Sequence, residues 1–289
     1  MRDYVIITDS SCDITPELLA QWEVPCVSLS YKFDEDAASH GNYDLPFDAF
    51  YDRMRKGGVA RTAAANVETF KRAFEPWLKQ GKDLLYIGFS SGLSSTVNSG
   101  ALAARELTES YPERKLLVVD TFAASAGFGL LVYLTVQEKR KGASLEEAAK
   151  FVEDHRLHLC HWFTVDDLVY LKRGGRISAA AAFVGGVLNI KPVLHMDNPG
   201  HLINMFKVRG RRASVKALAD KYGELAIHPG PDDTVFISHG DCIEDAKLLE
   251  RMLAERYGAK VQLITYVGPV IGSHSGPGTL ALFFLGRER

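Results

Sequence analysis

Short apolar runs alternate with amphipathic segments along the chain, and this pattern predicts strands that alternate with helices. The runs at 4–8 (YVIIT), 83–88 (DLLYIG) and 115–120 (KLLVVD) are rich in aliphatic residues and predict buried strands. Segments 67–78 and 124–141 predict helices. This alternation is typical of βαβ units. We therefore expect an α/β fold whose N-terminal sheet is mostly parallel, with helices on both faces.

The pattern changes just past the middle of the chain. Segments 192–196 and 201–207 flank the turn sequence Asp197-Asn198-Pro199-Gly200, which predicts a β-hairpin. Further strand and helix patterns follow it. We expect an N-terminal α/β domain at 1–160 and a second α/β domain, containing the hairpin, at 161–289.

Four segments have less regular patterns. Residues 24–31 (VPCVSLSY) predict one strand, and the alanine-rich residues 178–188 predict a closely packed helix. Residues 57–65 (GGVARTAAA) and 268–278 (GPVIGSHSGPG) predict loops, because glycine and other small residues dominate them.

Composition excludes several classes of protein. The 289 residues are 46% hydrophobic and 24% charged, with a formal net charge of −2, which argues against nucleic-acid binding. The four cysteines are widely spaced, so we expect a reduced, cytoplasmic protein without disulfides or zinc. The apolar run at the N-terminus is too short for a signal peptide, and no run predicts a membrane span or stable membrane insertion.

The segment that links strand 83–88 to the following helix carries the clearest chemical signal. Residues 88–96 (GFSSGLSST), called the serine turn below, contain four serines and precede the helix directly. Free N–H groups at a helix start and serine hydroxyls both favour an anion. The same residues also fit the G-x-S-x-G nucleophile elbow of hydrolases.

The hydrolase interpretation makes Ser90 the nucleophile of an enzyme that cleaves acyl esters. Its base would be His239 or His274, oriented by Asp233 or Asp241. A hydrolase elbow uses one serine, whereas four serines are more typical of a cluster of hydrogen-bond donors. We therefore favour a binding protein over an enzyme and keep the hydrolase as the alternative.

A carboxylate-binding site is the favoured interpretation. Thr62, Ser94 and His274 lie in three separate segments of small residues and could donate hydrogen bonds to one anion. The triplet His155, His158 and His161 suggests a metal site, but no acidic or cysteine partner accompanies it, so we predict no metal.

Six motifs occur in one order over residues 3–286, and together they resemble the DegV family of bacterial fatty-acid-binding proteins. The motifs are ITDSSCDI, SSGLSSTVNSG, VVDT, DDLVYLKRGGRIS, GGVLNIKPVL and GPVIGSHSGPG. The resemblance implies two α/β domains with a lipid tunnel between them. It also implies a bound long-chain fatty acid, such as palmitate, stearate or oleate, with no cofactor and no catalysis by this chain.

The resemblance further implies a partner and site residues. Family members act as the B subunit of a fatty acid kinase: they present the acid to a separate ATP-using subunit, which makes acyl phosphate for phospholipid synthesis. Contact with membranes would then be transient, for lipid exchange. Thr62, Ser94 and His274 look like the carboxylate site. The supporting or partner-facing residues implied by the motifs are Arg176, Arg209, Ser90, Ser91, Gly92 and Gly272.

One loop departs from the family pattern. It usually reads like T-S-Q-P-S, and here it reads Thr62-Ala63-Ala64-Ala65-Asn66, so the threonine remains and the next polar side chains are absent. A third interpretation is a fold-level relative of dihydroxyacetone kinase that binds a small polar ligand. A polar rather than apolar pocket would favour it.

Overall fold

Three β-sheets and ten helices form the framework of the computed structural model, which describes residues 3–178 and 189–289. The strands are β1 (Tyr4–Asp9), β2 (Cys26–Val27), β3 (Ser30–Phe33), β4 (His40–Gly41), β5 (Ala60–Ala63), β6 (Asp83–Gly88), β7 (Leu116–Asp120), β8 (Leu159–Thr164), β9 (Ile190–Met196), β10 (Leu202–Arg209), β11 (Val235–His239), β12 (Val261–Tyr266) and β13 (Leu280–Leu285).

The helices cover or join these sheets. They are α1 (Pro16–Gln21), α2 (Phe47–Arg55), α3 (Val67–Lys79), α4 (Thr96–Ser110), α5 (Ser125–Arg140), α6 (Leu145–His155), α7 (Val169–Arg173), α8 (Arg211–Leu225), α9 (Ile243–Tyr257) and α10 (Pro269–Ser275), with a 3₁₀ turn at Ser10–Cys12. Within the described ranges, no helix has the length and apolar character needed to cross a membrane.

The N-terminal sheet is parallel, as the alternating pattern predicts. Its order is β2-β1-β6-β7, and every pair in it is parallel. All six residues of β1 and all six of β6 are buried, as expected for strands covered on both faces. The carboxyl ends of β1, β6 and β7 therefore lie at one edge, where parallel sheets bind ligands.

The second large sheet is mixed. Its order is β10-β9-β8-β13-β11-β12, in which β11 and β12 are the parallel pair and the other neighbours are antiparallel. The predicted hairpin is confirmed as β9 and β10, joined through residues 197–201. The α/β fold with a second sheet domain is confirmed, while the boundary at residue 160 stays a prediction.

Two predicted loops are wrong. Residues 57–65 contain β5, which pairs antiparallel with β3 so that Thr62 lies opposite Tyr31. Residues 268–278 contain α10, which begins with Pro269 at its first position. In both cases tertiary pairing or packing overrides a local composition that is typical of loops.

Two other predictions have different outcomes. The single strand expected at 24–31 is wrong, because it is divided between β2, which pairs with β1, and β3, which belongs to the small sheet β4-β3-β5. The helix expected at 178–188 lies, beyond Ser178, outside the described residues.

Helix α5 connects the two halves of the core. Ten of its sixteen residues are buried, and it packs on β8, β11 and β13 of the mixed sheet as well as on the 3₁₀ turn after β1. One hydrophobic cluster accordingly contains Ile6 and Leu85 of the parallel sheet together with Phe163 and Phe283 of the mixed sheet. The start of α5 therefore lies between the two sheets.

Candidate ligand-binding site

The serine turn is held in place by a buried carboxylate at the end of β1. Asp9 accepts hydrogen bonds from the Tyr86 hydroxyl at 2.7 Å and from the Phe89 N–H at 3.1 Å. Burial raises the pKa of Asp9, and the hydrogen bonds from Tyr86 and Ser11 oppose that rise. The start of the serine turn is thereby fixed to the parallel sheet.

Ser90 joins the serine turn to the hairpin. Its hydroxyl donates to Gly200 O at 2.8 Å and accepts from Gly92 N–H at 3.2 Å, and Ser90 is fully buried. A Cβ on Gly92 would lie only 2.7 Å from Gly200 O, so glycine permits this close approach. Ser91 anchors the turn through its N–H, which lies 3.3 Å from each oxygen of Asp120.

The geometry does not favour the hydrolase interpretation. Ser90 has no histidine among its hydrogen-bond partners in residues 3–178 and 189–289. His274 is bonded to Thr62 instead, and Asp241 pairs with Arg55 and Tyr266. Activation of a serine requires a base within hydrogen-bond reach. Of the two candidate bases, His274 faces Thr62, and His239 Nδ1 accepts from Cys242 N–H at 3.3 Å.

Thr62 and His274 form a hydrogen-bonded pair across 212 positions of sequence. Thr62 Oγ1 on β5 lies 2.8 Å from His274 Nε2 in the last turn of α10. Burial lowers the pKa of His274 to about 4, and the nearby charge of Arg176 adds to this, so the ring is neutral at neutral pH. His274 Nδ1 is buried without a partner in the described chain.

These contacts set the direction of the hydrogen bond. A proton on Nδ1 of His274 would be a buried donor without an acceptor, which is costly. We therefore assign the proton to Nε2, which donates to Thr62 Oγ1. The Thr62 hydroxyl proton then remains available for an acceptor on a ligand.

Ser94 lies at the start of α4. Its hydroxyl accepts from Thr96 N–H at 3.2 Å and lies 2.9 Å from Thr96 Oγ1. A side-chain oxygen in this position satisfies one of the free N–H groups of the first helical turn. The Ser94 hydroxyl can rotate its proton toward either Thr96 or a ligand.

Arg176 supplies a partly buried positive charge beside these groups. Its Nε and Nη2 donate to Leu93 O at 3.2 and 3.0 Å, and its Nη1 donates to Gly174 O at 2.5 Å. Burial lowers the pKa of Arg176, which nonetheless remains a cation at neutral pH because arginine ionises so strongly. Arg176 is thus tied to the serine turn through Leu93 rather than free in solvent.

One cavity brings Thr62, Ser94, Arg176 and His274 together. The volume of this cavity is about 180 Å³. These four residues are partly exposed. The remaining wall is mostly apolar and buried, with lining side chains that include Phe89, Phe163, Met196, Val270, Ala281 and Phe283. The cavity therefore has a polar end near the surface and an apolar interior, so the prediction of a small polar ligand is not favoured.

Other predicted residues lie outside this lining. Gly272 on α10 packs against α2, because a Cβ there would lie 2.5 Å from the Tyr51 hydroxyl. Arg209 is exposed at the end of β10 and is not brought to the cavity. Of the three residues that replace the usual polar loop, Ala63 and Ala64 line the cavity, and Ala65 belongs to the core.

Several lining residues were missed by sequence reasoning. Ser125, Ser238 and Ser275 contribute hydroxyl groups, and His161 contributes a buried ring. Ser238 and His161 lie within apolar strands. The alternation of side chains along a strand indicates which residues face inward, but it does not show which residues of other elements they contact. The unusual backbone of Ser125, with φ of 54°, has no signature in the sequence.

The suspected histidine metal site is absent from the described part of the chain. No group of three or more histidine, cysteine or acidic residues there could hold a metal ion. His155 stacks on Phe151, His158 bonds to carbonyls near the end of the chain, and His161 is enclosed under α5.

Comparison with known proteins matches this chain to one family over nearly its full length. A family described as "Uncharacterised protein, DegV family" matches residues 3–287. A DegV domain-containing protein of Clostridium perfringens is 43% identical over 287 residues, covering 99% of this chain and 98% of that protein. A fatty acid-binding protein of Thermotoga maritima is 31% identical, covering 95% of each.

Solved structures share the architecture. A stearic acid-binding protein from Eubacterium ventriosum superimposes with a TM-score of 0.87 at 26% identity, covering 98% of both chains. The family match over residues 3–287 and the 43% identity over nearly the whole chain show that the protein belongs to the DegV family.

Proposed function

We propose that this protein binds a long-chain fatty acid, with the carboxylate held by Thr62 and Ser94, with His274 orienting the Thr62 hydroxyl, and with the acyl chain in the apolar cavity. The observation that carries the proposal is the polarity of that cavity: its polar end is partly exposed and its apolar wall is buried. The fatty acid-binding relatives from Thermotoga maritima and Eubacterium ventriosum support the same ligand class.

The polar end suits a carboxylate. A carboxylate that leaves water needs hydrogen-bond donors and a nearby positive charge. Thr62 and Ser94 offer rotatable hydroxyl donors, His274 orients Thr62, and Arg176 supplies the charge. Because Arg176 already donates to Leu93 O and Gly174 O, we assign it to balance charge and shape the site.

The apolar wall supplies the affinity. Burial of each CH₂ contributes about 0.8 kcal/mol, so a long acyl chain offers a large driving force before the costs of association. The carboxylate contacts then fix the orientation of the ligand more than its affinity.

Extraction of the purified protein tests the proposal directly. We expect organic extracts analysed by mass spectrometry to contain a long-chain fatty acid in near-stoichiometric amount. Delipidated protein should rebind stearate with a favourable enthalpy or a fluorescence change. Protein that carries no lipid and fails to bind added fatty acid would exclude this function.

A substitution at Gly174 tests whether His274 takes part in the fatty-acid site. A Cβ at Gly174 would lie 2.2 Å from His274 Nδ1, so Gly174→Ala should displace the ring and weaken stearate binding about tenfold. Gly175→Ala is the matched control: its Cβ meets nothing within 4 Å, but its φ of +69° strains alanine. Gly175→Ala should lower the melting temperature and leave affinity nearly unchanged. The reverse pattern would contradict the role given to His274.

We also propose that the bound acid is presented to a separate ATP-using kinase subunit for acyl phosphate formation and phospholipid synthesis, in the cytoplasm. The partly exposed carboxylate end supports this, because a second protein could reach it while the acyl chain stays buried. Formation of acyl phosphate from ATP by a fatty acid kinase catalytic subunit, with this protein as the source of the acid, measures the proposed presentation.

A further inference from the structure

Three buried serine hydroxyls interrupt the apolar wall of the cavity. Ser125 begins α5, Ser238 lies on β11 and Ser275 ends α10, and their exposed fractions are 6%, 0% and 5%. All three residues line the cavity. They are called the hydroxyl patch below.

The hydroxyl patch has hydrogen-bonding capacity that the protein does not use. Each hydroxyl can donate one hydrogen bond and accept two. Ser125 has two side-chain partners, Asp13 Oδ2 at 2.5 Å and Ser238 Oγ at 3.0 Å. Ser238 has Ser125 alone, and Ser275 Oγ has no partner in the described chain. Buried polar groups are normally satisfied, so this unused capacity points to a ligand atom.

Two other polar residues of the lining, His161 and Thr279, already have hydrogen-bond partners. His161 accepts from Ala124 N–H at Nε2 and lies 3.3 Å from Leu159 O at Nδ1, so both ring nitrogens have partners. Thr279 donates to Gly276 O at 2.8 Å. The hydroxyl groups with unused capacity are therefore those of Ser238 and Ser275. Two further unpartnered atoms lie nearby: Asp13 Oδ1, whose residue is outside the cavity lining, and His274 Nδ1 at the carboxylate end.

The position of the patch along the cavity follows from the strand register. Thr279, Ala281 and Phe283 line the cavity at alternate positions just before and along β13. The distance from Thr279 to Phe283 is about 13 Å at about 3.3 Å per residue. Ser238 pairs with Ala281, in the middle of this span, and His161 pairs with Phe283 at its far end. Thr279 is bonded to Gly276, just after His274. Ser238 and its partner Ser125 are thus part-way between the carboxylate end and the far end, and Ser275, the residue after His274 on α10, is the member of the patch nearest in sequence to the carboxylate end.

We propose that the cavity selects a long-chain fatty acid carrying a hydroxyl group part-way along its chain, with Ser238, Ser275 and Ser125 as the residues that contact this hydroxyl. The inference rests on the proposed function and names its substrate class. An unsubstituted acyl chain leaves the free hydroxyl capacity of Ser238 and Ser275 unfilled. A ligand hydroxyl both donates and accepts, so it can satisfy the patch whichever way the serine protons point.

The selectivity has a position-dependent signature. A hydroxyl that meets the patch gains hydrogen bonds, whereas one placed against Phe163 or Phe283 is buried without a partner. A positional series of monohydroxystearates therefore distinguishes the patch from a general tolerance of polar chains. We expect one or two adjacent isomers to bind delipidated protein about 3- to 10-fold more tightly than stearate, and distant isomers about tenfold more weakly.

Ser238→Ala tests the assignment with little structural disturbance, because Asp13 keeps its bond to Ser125. It should remove the advantage of the favoured isomers, so that they bind no more tightly than stearate. Ser273→Ala is the matched control: Ser273 is buried on α10, donates to Pro269 O at 2.7 Å and lies outside the lining. It should preserve the isomer preference.

The outcomes separate this inference from the proposed function. If stearate binds and is preferred over every isomer, the selectivity is wrong and the proposed function stands. If an isomer preference survives Ser238→Ala, the patch is not its source. If neither stearate nor any isomer binds, both fail together.

Discussion

Replacing Thr62 by valine and Ser94 by alanine in one protein is expected to lower stearate affinity about 100-fold. Each substitution removes one donor to the carboxylate, and a hydrogen bond to a charged group contributes about 1.5–3 kcal/mol, of which part is recovered by water at the exposed end. Valine keeps the shape and strand preference of Thr62 on β5, so the fold should be retained. Titration calorimetry of the delipidated variant with stearate measures the loss.

Ser90→Ala is the appropriate comparison for the donor variants. It removes the buried bond to Gly200 O, so it should destabilise the protein by about 1 to 2 kcal/mol. Its effect on stearate affinity should stay below about threefold, because Ser90 does not line the cavity. Equal losses of affinity for Ser90→Ala and Ser94→Ala would show that the carboxylate is held elsewhere in the serine turn.

A second large effect is expected from Asp13, whose stability contribution should fall as pH rises. Burial raises the pKa of Asp13 to about 8 in the folded protein, although the hydrogen bond from Ser125 acts to lower this pKa. An unfolded aspartate ionises near pH 3.9. The folded state therefore holds a proton that the unfolded state releases, so the stabilisation is complete below about pH 4 and is lost progressively up to about pH 8. The slope is at most about 1.4 kcal/mol per pH unit.

Asp13→Asn isolates this effect. Asparagine tolerates the left-handed backbone of this position, with φ of 52°, and can still bond to Ser125. Its free energy of unfolding in urea should exceed that of the parent at pH 8 to 9 and approach or fall below it near pH 4. Asp232→Asn, at an exposed position, should produce no such divergence. Parallel stability curves for Asp13→Asn and the parent would show that Asp13 stays ionised in the fold.

Local sequence patterns determined the framework of the protein. The strands β1, β6 and β7 follow from their continuous apolar runs, and their parallel arrangement follows from the helices between them. All residues of β1 and β6 are buried as predicted, whereas only one of the five residues of β7, at the edge of the sheet, is buried. Local sequence also sets helix starts: Thr15 caps α1, Asn66 caps α3, and Ser144 with Glu147 forms a capping box at α6. These features involve residues within a few positions of one another, so a single sequence contains the information.

Contacts between distant segments explain the strand and the helix that the sequence patterns did not predict. Residues around Thr62 have the composition of a loop, yet they form β5 because β3 offers an edge 27 to 33 positions earlier in the chain. α10 is similarly short and glycine-rich, and it is held by contacts such as the bond from Val270 N–H to Asn42. Composition is a weak guide wherever a distant partner supplies the backbone hydrogen bonds.

The sequence by itself determined the fold class, the hairpin and the residue types suited to an anion, and its ordered motifs indicated the family. Only the tertiary structure brought Thr62 and His274 into a hydrogen bond, tied Arg176 to Leu93 and placed Ser125 against Ser238 inside an apolar wall. The physical reason is that a binding cavity is made by side chains far apart in sequence. Their separation, protonation and unused hydrogen-bonding capacity exist only after the two sheets pack around α5.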